Sequence, residues 1–124
     1  MTKTLLFVDD DPFSQWPEIL QRKLENSGYI VICHDNSENA IESIEGGLRY
    51  DIALVDRSLG DCPGIRGWKR SGDDVMRISR EKNPSVPIIS LSAYHQKAPD
   101  ADYHITKPES LDRTVEIVNQ HLPI

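Results

Sequence analysis

The sequence predicts an α/β fold built on a five-stranded parallel sheet, and three observations support this prediction. Short apolar runs rich in Val, Ile and Leu recur along the chain, each bounded by Gly, Pro, Asp or Asn. Segments with the apolar spacing of amphipathic helices lie between these runs. Strand-like and helix-like segments therefore alternate, which favours parallel strands joined by right-handed crossovers.

Five segments have the character of buried strands. Their apolar residues are nearly continuous rather than alternating with polar ones, as expected for strands that are covered on both faces of a parallel sheet. The predicted strands are Thr4–Val8, Tyr29–Cys33, Ile52–Val55, Val86–Leu91 and Tyr103–Ile105.

Four further segments have the spacing of amphipathic helices. Their ends are marked by serines that can cap the first turn and by glycine or proline that stops the last one. The first helix is expected after Ser14 and before Gly28, the second from the cap Ser37 to Gly46, the third from Ser71 to Asn83, and the last from the cap Ser110 through Leu111 to Leu122.

Length and charge limit the classes of function. The chain has 124 residues, which suits a single domain spanning residues 1–124. Its net charge of −6 disfavours nucleic-acid binding, which normally depends on clustered Lys and Arg. No apolar stretch is long enough for a membrane span, and acidic residues occupy the place where a secretory signal would have its apolar core. A cytoplasmic protein is therefore expected.

Polar side chains follow four of the predicted strands at the point where each strand ends. Asp9 and Asp10 follow the first strand, Asp56 the third, Ser92 the fourth and Lys107 the fifth. The carboxyl ends of parallel strands meet at one edge of the sheet, which is where open α/β sheets bind ligands. We therefore expect these side chains to share one site.

Crowded carboxylates at this edge indicate a cation. Like charges at short range push one another toward protonation unless a divalent ion neutralises them, and an oxygen-only ligand set favours Mg²⁺. With the ion bound, the Asp56 carboxylate could attack a phosphoryl group while Lys107 stabilises charge on its oxygens. Ser92 could then donate a hydrogen bond to the transferred group, so that modification of Asp56 changes the shape of the fourth strand and the loop after it.

The segments "FVDDDP", "DIALVDRSL", "VPIISLSA" and "ITKP", in this order, resemble the receiver domain of two-component response regulators. The resemblance covers nearly the whole chain and implies a doubly wound, flavodoxin-like sheet with strand order 2-1-3-4-5. It implies that Asp56 is the phosphoacceptor, Ser92 the switch hydroxyl and Lys107 the phosphate-contacting residue. The implied Mg²⁺ ligands are Asp10 directly, Asp9 mainly through water, Asp56 itself and the backbone carbonyl of Ser58.

The resemblance also implies the partners. A sensor histidine kinase or a phosphotransfer protein donates the phosphoryl group, and an effector protein responds to the phosphorylated domain. We expect no enzymatic activity beyond self-phosphorylation and self-dephosphorylation. A receiver that acts alone, without an attached output domain, is the expected arrangement.

Two regions depart from the family pattern. The segment after Asp56 is longer than usual because of a glycine-rich loop, Gly60–Gly72, at the rim of the site. The segment between Ser92 and Lys107 is shorter and lacks apolar periodicity, so the family's fourth helix, between the fourth and fifth strands, is expected to be short or absent.

Two side chains are candidates for tuning the site. His104 stands where the family usually has an aromatic switch residue, either as a histidine that burial accommodates or as an altered, pH-sensitive switch. Tyr94, two residues after Ser92, is expected to flank the path of the hydrolytic water together with Ser58, and its bulk predicts slow hydrolysis of the phosphoryl group.

Two other functions remain open. A pseudo-receiver would keep the fold and act as a phosphorylation-independent protein-interaction module, a hypothesis motivated by the altered fourth-helix region. An aspartate-nucleophile phosphohydrolase would use the Asp9–Asp11 cluster instead of Asp56. The order of the motifs argues against this second alternative, because Lys107 follows the later acidic pair, Asp73 and Asp74, instead of preceding it.

Overall fold

The sheet has five parallel strands in the order β2-β1-β3-β4-β5, so the predicted fold class and strand order are confirmed. A computed structural model describes residues 2–9, 15–57, 71–93, 96–107 and 109–122. The strands are β1 (Lys3–Val8), β2 (Tyr29–His34), β3 (Ile52–Asp56), β4 (Ile88–Ser92) and β5 (Tyr103–Thr106). The helices are α1 (Trp16–Asn26), α2 (Ser37–Glu45), α3 (Gly72–Lys82) and α4 (Leu111–His121).

Apolar residues cover both faces of the sheet. Successive side chains of a strand point to opposite faces, so Leu5 packs into one core cluster and Leu6 into the other. Helices α2 and α3 cover the face of Leu6, and helices α1 and α4 cover the face of Leu5. Each fully buried Leu or Ile contributes about 1.5–3 kcal/mol of burial free energy, and this two-sided core fixes the strands that carry the site.

The helix ends follow the capping signals with one correction. Helix α2 begins at Ser37, and its cap is Asn36, whose side chain accepts a 2.8 Å hydrogen bond from the backbone N–H of Asn39. Our assignment of Ser37 as the cap was wrong because Asn36 has the extended backbone that a capping residue needs. Ser110 does cap α4 by accepting a hydrogen bond from the Arg113 N–H, whereas Ser14 lies outside the described residues.

The described part of the connection between β4 and β5, residues 96–102, contains no helix, as the sequence predicted. Ala98 and Ala101 of this connection are buried and join the core cluster that α2 and α3 cover. Two small side chains of this connection thus contribute to the core on that face of the sheet. In the described part of the chain, no helix is both long and apolar enough to cross a membrane.

Candidate functional site

The carboxyl edge of the sheet collects the described residues that the sequence predicted for the site. Asp9 directly follows β1, Asp56 is the last residue of β3, Ser92 is the last residue of β4, and Lys107 directly follows β5. These four strands are neighbours in the sheet. Two backbone hydrogen bonds, from Arg57 N–H to Leu91 O and from Lys107 N–H to Ser92 O, continue the strand pairing to this edge.

Lys107 joins the two predicted carboxylates. Its Nζ donates to Asp9 Oδ2 at 2.8 Å and to Asp56 Oδ2 at 2.9 Å. The side chains are 1% exposed for Asp9, 5% for Asp56 and 17% for Lys107. Buried charges need partners, and here two carboxylates share one ammonium group. These three groups therefore carry a net negative charge, which favours binding of a cation.

The pKa of Lys107 shows which effect dominates in this cluster. Burial acts to lower the pKa of Lys107, but hydrogen bonds and charge attraction from Asp9 and Asp56 outweigh burial and raise the pKa above its ordinary value. Lys107 is therefore a cation throughout the physiological pH range. A permanent positive charge at this position can stabilise negative oxygens next to Asp56.

Ser92 and Ser90 are bridged by the imidazole of His104. Ser90 Oγ lies 2.6 Å from His104 Nδ1, and Ser92 Oγ lies 3.3 Å from His104 Nε2. Both serines are buried and His104 is half-buried. His104 is thus accommodated by hydrogen bonds to both hydroxyl groups, and it contacts the predicted switch hydroxyl directly.

Sequence analysis missed two residues next to Asp56. Arg57 donates a bidentate pair to the Asp73 carboxylate, at 2.9 and 2.8 Å, and a third hydrogen bond to Gln96 O at 2.8 Å. Gly72, the first residue of α3, lies so close to β3 that an added Cβ would come within 1.8 Å of Asp56 O. Gly72 was assigned to the end of the Gly60–Gly72 loop and the start of the third helix without any role at the site, and the position of Arg57 after Asp56 gave no signal for its contacts.

Several predicted residues cannot be placed. Asp10, Ser58, Tyr94 and most of the Gly60–Gly72 loop lie outside the described residues. Within the ranges that are described, no group of three or more His, Cys, Asp or Glu side chains is arranged to hold a metal ion. The described part of the predicted Mg²⁺ site consists of the carboxylates of Asp9 and Asp56.

Comparison with known proteins agrees with this geometry. The family model described as "Response regulator receiver domain" matches residues 5–119. The transcriptional regulatory protein DltR of Streptococcus agalactiae is 34% identical over 115 residues, which cover 87% of this chain and 46% of DltR. The transcriptional regulatory protein CusR of Escherichia coli is 32% identical over 89 residues, which cover 72% of this chain and 34% of CusR. The chain thus spans half or less of the length of these relatives.

Solved structures show the same fold. The response regulator TrrA of Thermotoga maritima, in complex with Mg²⁺ and BeF, has a TM-score of 0.76 and 30% identity, covering 97% of this chain and 99% of TrrA. The chemotaxis response regulator CheY4 of Vibrio cholerae has a TM-score of 0.80 at 19% identity, covering 98% of this chain and all of CheY4, and supports the fold alone. The match of the family model over nearly the whole sequence establishes that this chain belongs to the receiver-domain family of response regulators.

Proposed function

We propose that this receiver domain accepts a phosphoryl group on Asp56 from the phosphohistidine of a sensor kinase or a phosphotransfer protein. The observation that carries the proposal is the contact of Lys107 with both Asp56 and Asp9 at the carboxyl edge of the sheet. A buried carboxylate beside a fixed cation is a nucleophile whose negatively charged product is stabilised in place.

In the proposed step, an Asp56 carboxylate oxygen attacks phosphorus in line with the bond to the donor. An O–P bond forms while the P–N bond of the phosphohistidine breaks, and its electron pair stays on the imidazole, which takes up a proton. Lys107 stabilises the charge on the phosphoryl oxygens. The Ser92 hydroxyl then donates a hydrogen bond to one of these oxygens.

The residues of the site fit Mg²⁺. Asp9 and Asp56 supply carboxylate oxygens, and Asp10 with the Ser58 carbonyl would complete an oxygen-only set, which is the ligand type that Mg²⁺ prefers. When bound, Mg²⁺ neutralises the clustered acids and polarises the phosphoryl group. The net negative charge of Asp9, Asp56 and Lys107 supports this assignment, and the TrrA structure contains Mg²⁺ with BeF.

Output would follow from a competition for Ser92. Its hydroxyl lies next to His104 in the structure, and turning toward a phosphoryl group on Asp56 weakens this contact. The change reaches β5 through His104, where a downstream effector protein can respond to it. We further propose a cytoplasmic location, and we propose that residues 1–124 do not themselves bind nucleic acid, in line with their net charge of −6.

Acetyl phosphate can test the proposal without a kinase. It donates the phosphoryl group in place of the phosphohistidine, and acetate is then the leaving group. We expect the protein with MgCl2 to gain the mass of one phosphoryl group, and we expect Asp56→Asn to abolish the gain. Asp51→Asn is the matched control, because Asp51 precedes the same strand at its opposite end and its carboxylate accepts from the Thr4 N–H. Absence of labelling would refute the proposal and favour a phosphorylation-independent interaction module, whereas labelling that persists in Asp56→Asn would refute Asp56 as the phosphoacceptor.

A further inference from the structure

Trp16, the first residue of α1, contacts the segment that follows β5 on both sides of residue 108. Its ring centroid lies 5.6 Å from Lys107 Nζ, and its indole N–H donates to Glu109 O at 3.0 Å. We propose that Trp16 is a positioning residue that holds the Lys107 ammonium group against Asp9 and Asp56. This inference rests on the proposed phosphoryl transfer to Asp56.

The contacts of Trp16 suit this role because they use two different parts of the indole. The ring face attracts a cation electrostatically at distances up to about 6 Å, and tryptophan is the best aromatic residue for this interaction. The N–H group needs a hydrogen-bond acceptor when the ring is partly buried, and the Glu109 carbonyl provides one. The ring therefore has a fixed orientation relative to the backbone that carries Lys107.

The core holds Trp16 itself in place. Its side chain packs against the apolar cluster that α1 and α4 form on one face of the sheet. Lysine has a long, flexible side chain that can place its ammonium group in many positions. Two carboxylates attract Lys107 from the sheet, and the ring contacts it from α1, so its accessible positions are restricted and its hydration is reduced.

A purely structural role makes a different prediction. If Trp16 only stabilised α1, its loss would slow phosphorylation by the same factor whether or not Lys107 was present. If Trp16 acts through Lys107, its loss has no further effect once Lys107 is removed. A double-mutant cycle on the rate of phosphorylation therefore separates the two roles.

The cycle compares wild type, Trp16→Leu, Lys107→Met and the double variant, labelled with acetyl phosphate and MgCl2. We expect Trp16→Leu to lower the rate constant about three- to tenfold in the presence of Lys107, and by less than about twofold in the Lys107→Met background. Trp16→Phe keeps a ring face and is expected to recover most of the rate. Tyr103→Leu is the matched control, because Tyr103 is a half-exposed aromatic residue at the opposite end of β5, and it should leave the rate unchanged.

The outcomes distinguish this inference from the proposed function. A wild-type protein that takes no label and binds no beryllofluoride would refute phosphoryl transfer itself. If wild type is labelled but Trp16→Leu has the same effect in both backgrounds, or Trp16→Phe is as slow as Trp16→Leu, only the role of Trp16 is overturned. If Lys107→Met abolishes labelling, beryllofluoride affinity, measured by calorimetry with Mg²⁺, serves for the same cycle with the same criteria.

Discussion

At the scale of single residues, polar side chains on β4 and β5 depart from the apolar pattern of the sheet. Ser90 and Ser92 alternate with apolar residues along β4, and His104 is the register partner of Ser90 on β5. These side chains share the face of the sheet that Ala98 and Ala101 help to cover. The small side chains of Ala98 and Ala101 bury little apolar surface on this face. The hydrogen bonds between Ser90, His104 and Ser92 satisfy polar groups that would otherwise be costly to bury.

We predict that His104→Phe lowers the free energy of unfolding by about 1–2 kcal/mol. The substitution removes the 2.6 Å partner of the buried Ser90 hydroxyl, whose contacts with Tyr103 O and Ala98 N are both longer, at 3.4 Å. Urea denaturation measures the loss. In the double variant Ser90→Ala/His104→Phe both polar partners are gone, so most of the loss should be recovered. A double variant that is no more stable than His104→Phe would contradict this account.

At the scale of secondary-structure elements, the described part of the connection between β4 and β5 is held by an ion pair and by hydrogen bonds from charged side chains to backbone carbonyls. Arg80 of α3 donates to Asp102 Oδ2 at 2.7 Å and to Asp100 O at 3.1 Å. The same oxygen of Asp102 accepts from the Ile88 N–H at 2.8 Å. Lys97 Nζ donates to the carbonyl of Ala101 at 2.6 Å. These contacts hold Ala98 and Ala101 in the core, although residues 96–102 form no helix.

The Asp102 contacts predict a pH-dependent contribution to stability. Burial acts to raise the pKa of Asp102, but the Ile88 N–H and Arg80 outweigh it and lower the pKa below its ordinary value. A carboxylate whose pKa is lower in the folded state stabilises the fold above its unfolded pKa of about 3.9, and the effect is lost as the pH falls through the folded pKa.

We therefore expect Asp102→Asn to cost about 1 kcal/mol at pH 7, a small value because the side chain is 45% exposed and solvent screens the pair. The difference from wild type should shrink as the pH falls below about 4. Thermal unfolding at several pH values measures both effects. Asp100→Asn is the control, because the contact of Asp100 with Arg80 uses its backbone carbonyl. A cost for Asp102→Asn that stays constant down to pH values well below 4 would rule out this explanation.

Arg57 links three elements directly after the proposed phosphoacceptor. Its guanidinium joins the end of β3 to Asp73 in the first turn of α3 and to Gln96 in the connection before β5. The hydrogen bond to Asp73 raises the pKa of Arg57 and outweighs burial, which acts to lower it. Gly72 allows this arrangement because any larger residue would collide with Asp56 O. Arg57, the residue after Asp56, therefore connects the end of β3 directly to α3 and to the connection before β5, so a movement of Asp56 can reach both.

At the scale of the whole molecule, local patterns predicted the fold and long-range contacts had to be observed. Apolar runs and helical spacing are properties of neighbouring residues, so the sequence could predict the strands, the helices and the lack of a helix in residues 96–102, the described part of the connection after β4. The rule that parallel strands end at one edge brought Asp9, Asp56 and Lys107 together. No such rule predicts the hydrogen bond between Trp16 and Glu109, which are 93 positions apart, or the pairing of Arg57 with Asp73.

The acidic cluster predicts that the stability of the whole domain depends on Mg²⁺. Lys107→Met leaves the buried carboxylates of Asp9 and Asp56 without their shared cation, so we expect a loss of roughly 3 kcal/mol in the absence of metal. Mg²⁺ at a hundred times its dissociation constant should stabilise wild type by about 2.7 kcal/mol. At the same Mg²⁺ concentration, the ion should stabilise Lys107→Met by more than wild type. Without the Lys107 ammonium group the two carboxylates repel each other, so the variant should bind Mg²⁺ more tightly. Urea denaturation with and without MgCl2 measures these differences.

Lys23→Met is the control, because Lys23 pairs with Asp112 on the surface. It should change stability by at most about 1 kcal/mol without altering the response to Mg²⁺. If Mg²⁺ stabilises Lys107→Met no more than it stabilises wild type, Lys107 does not compensate the charge of Asp9 and Asp56.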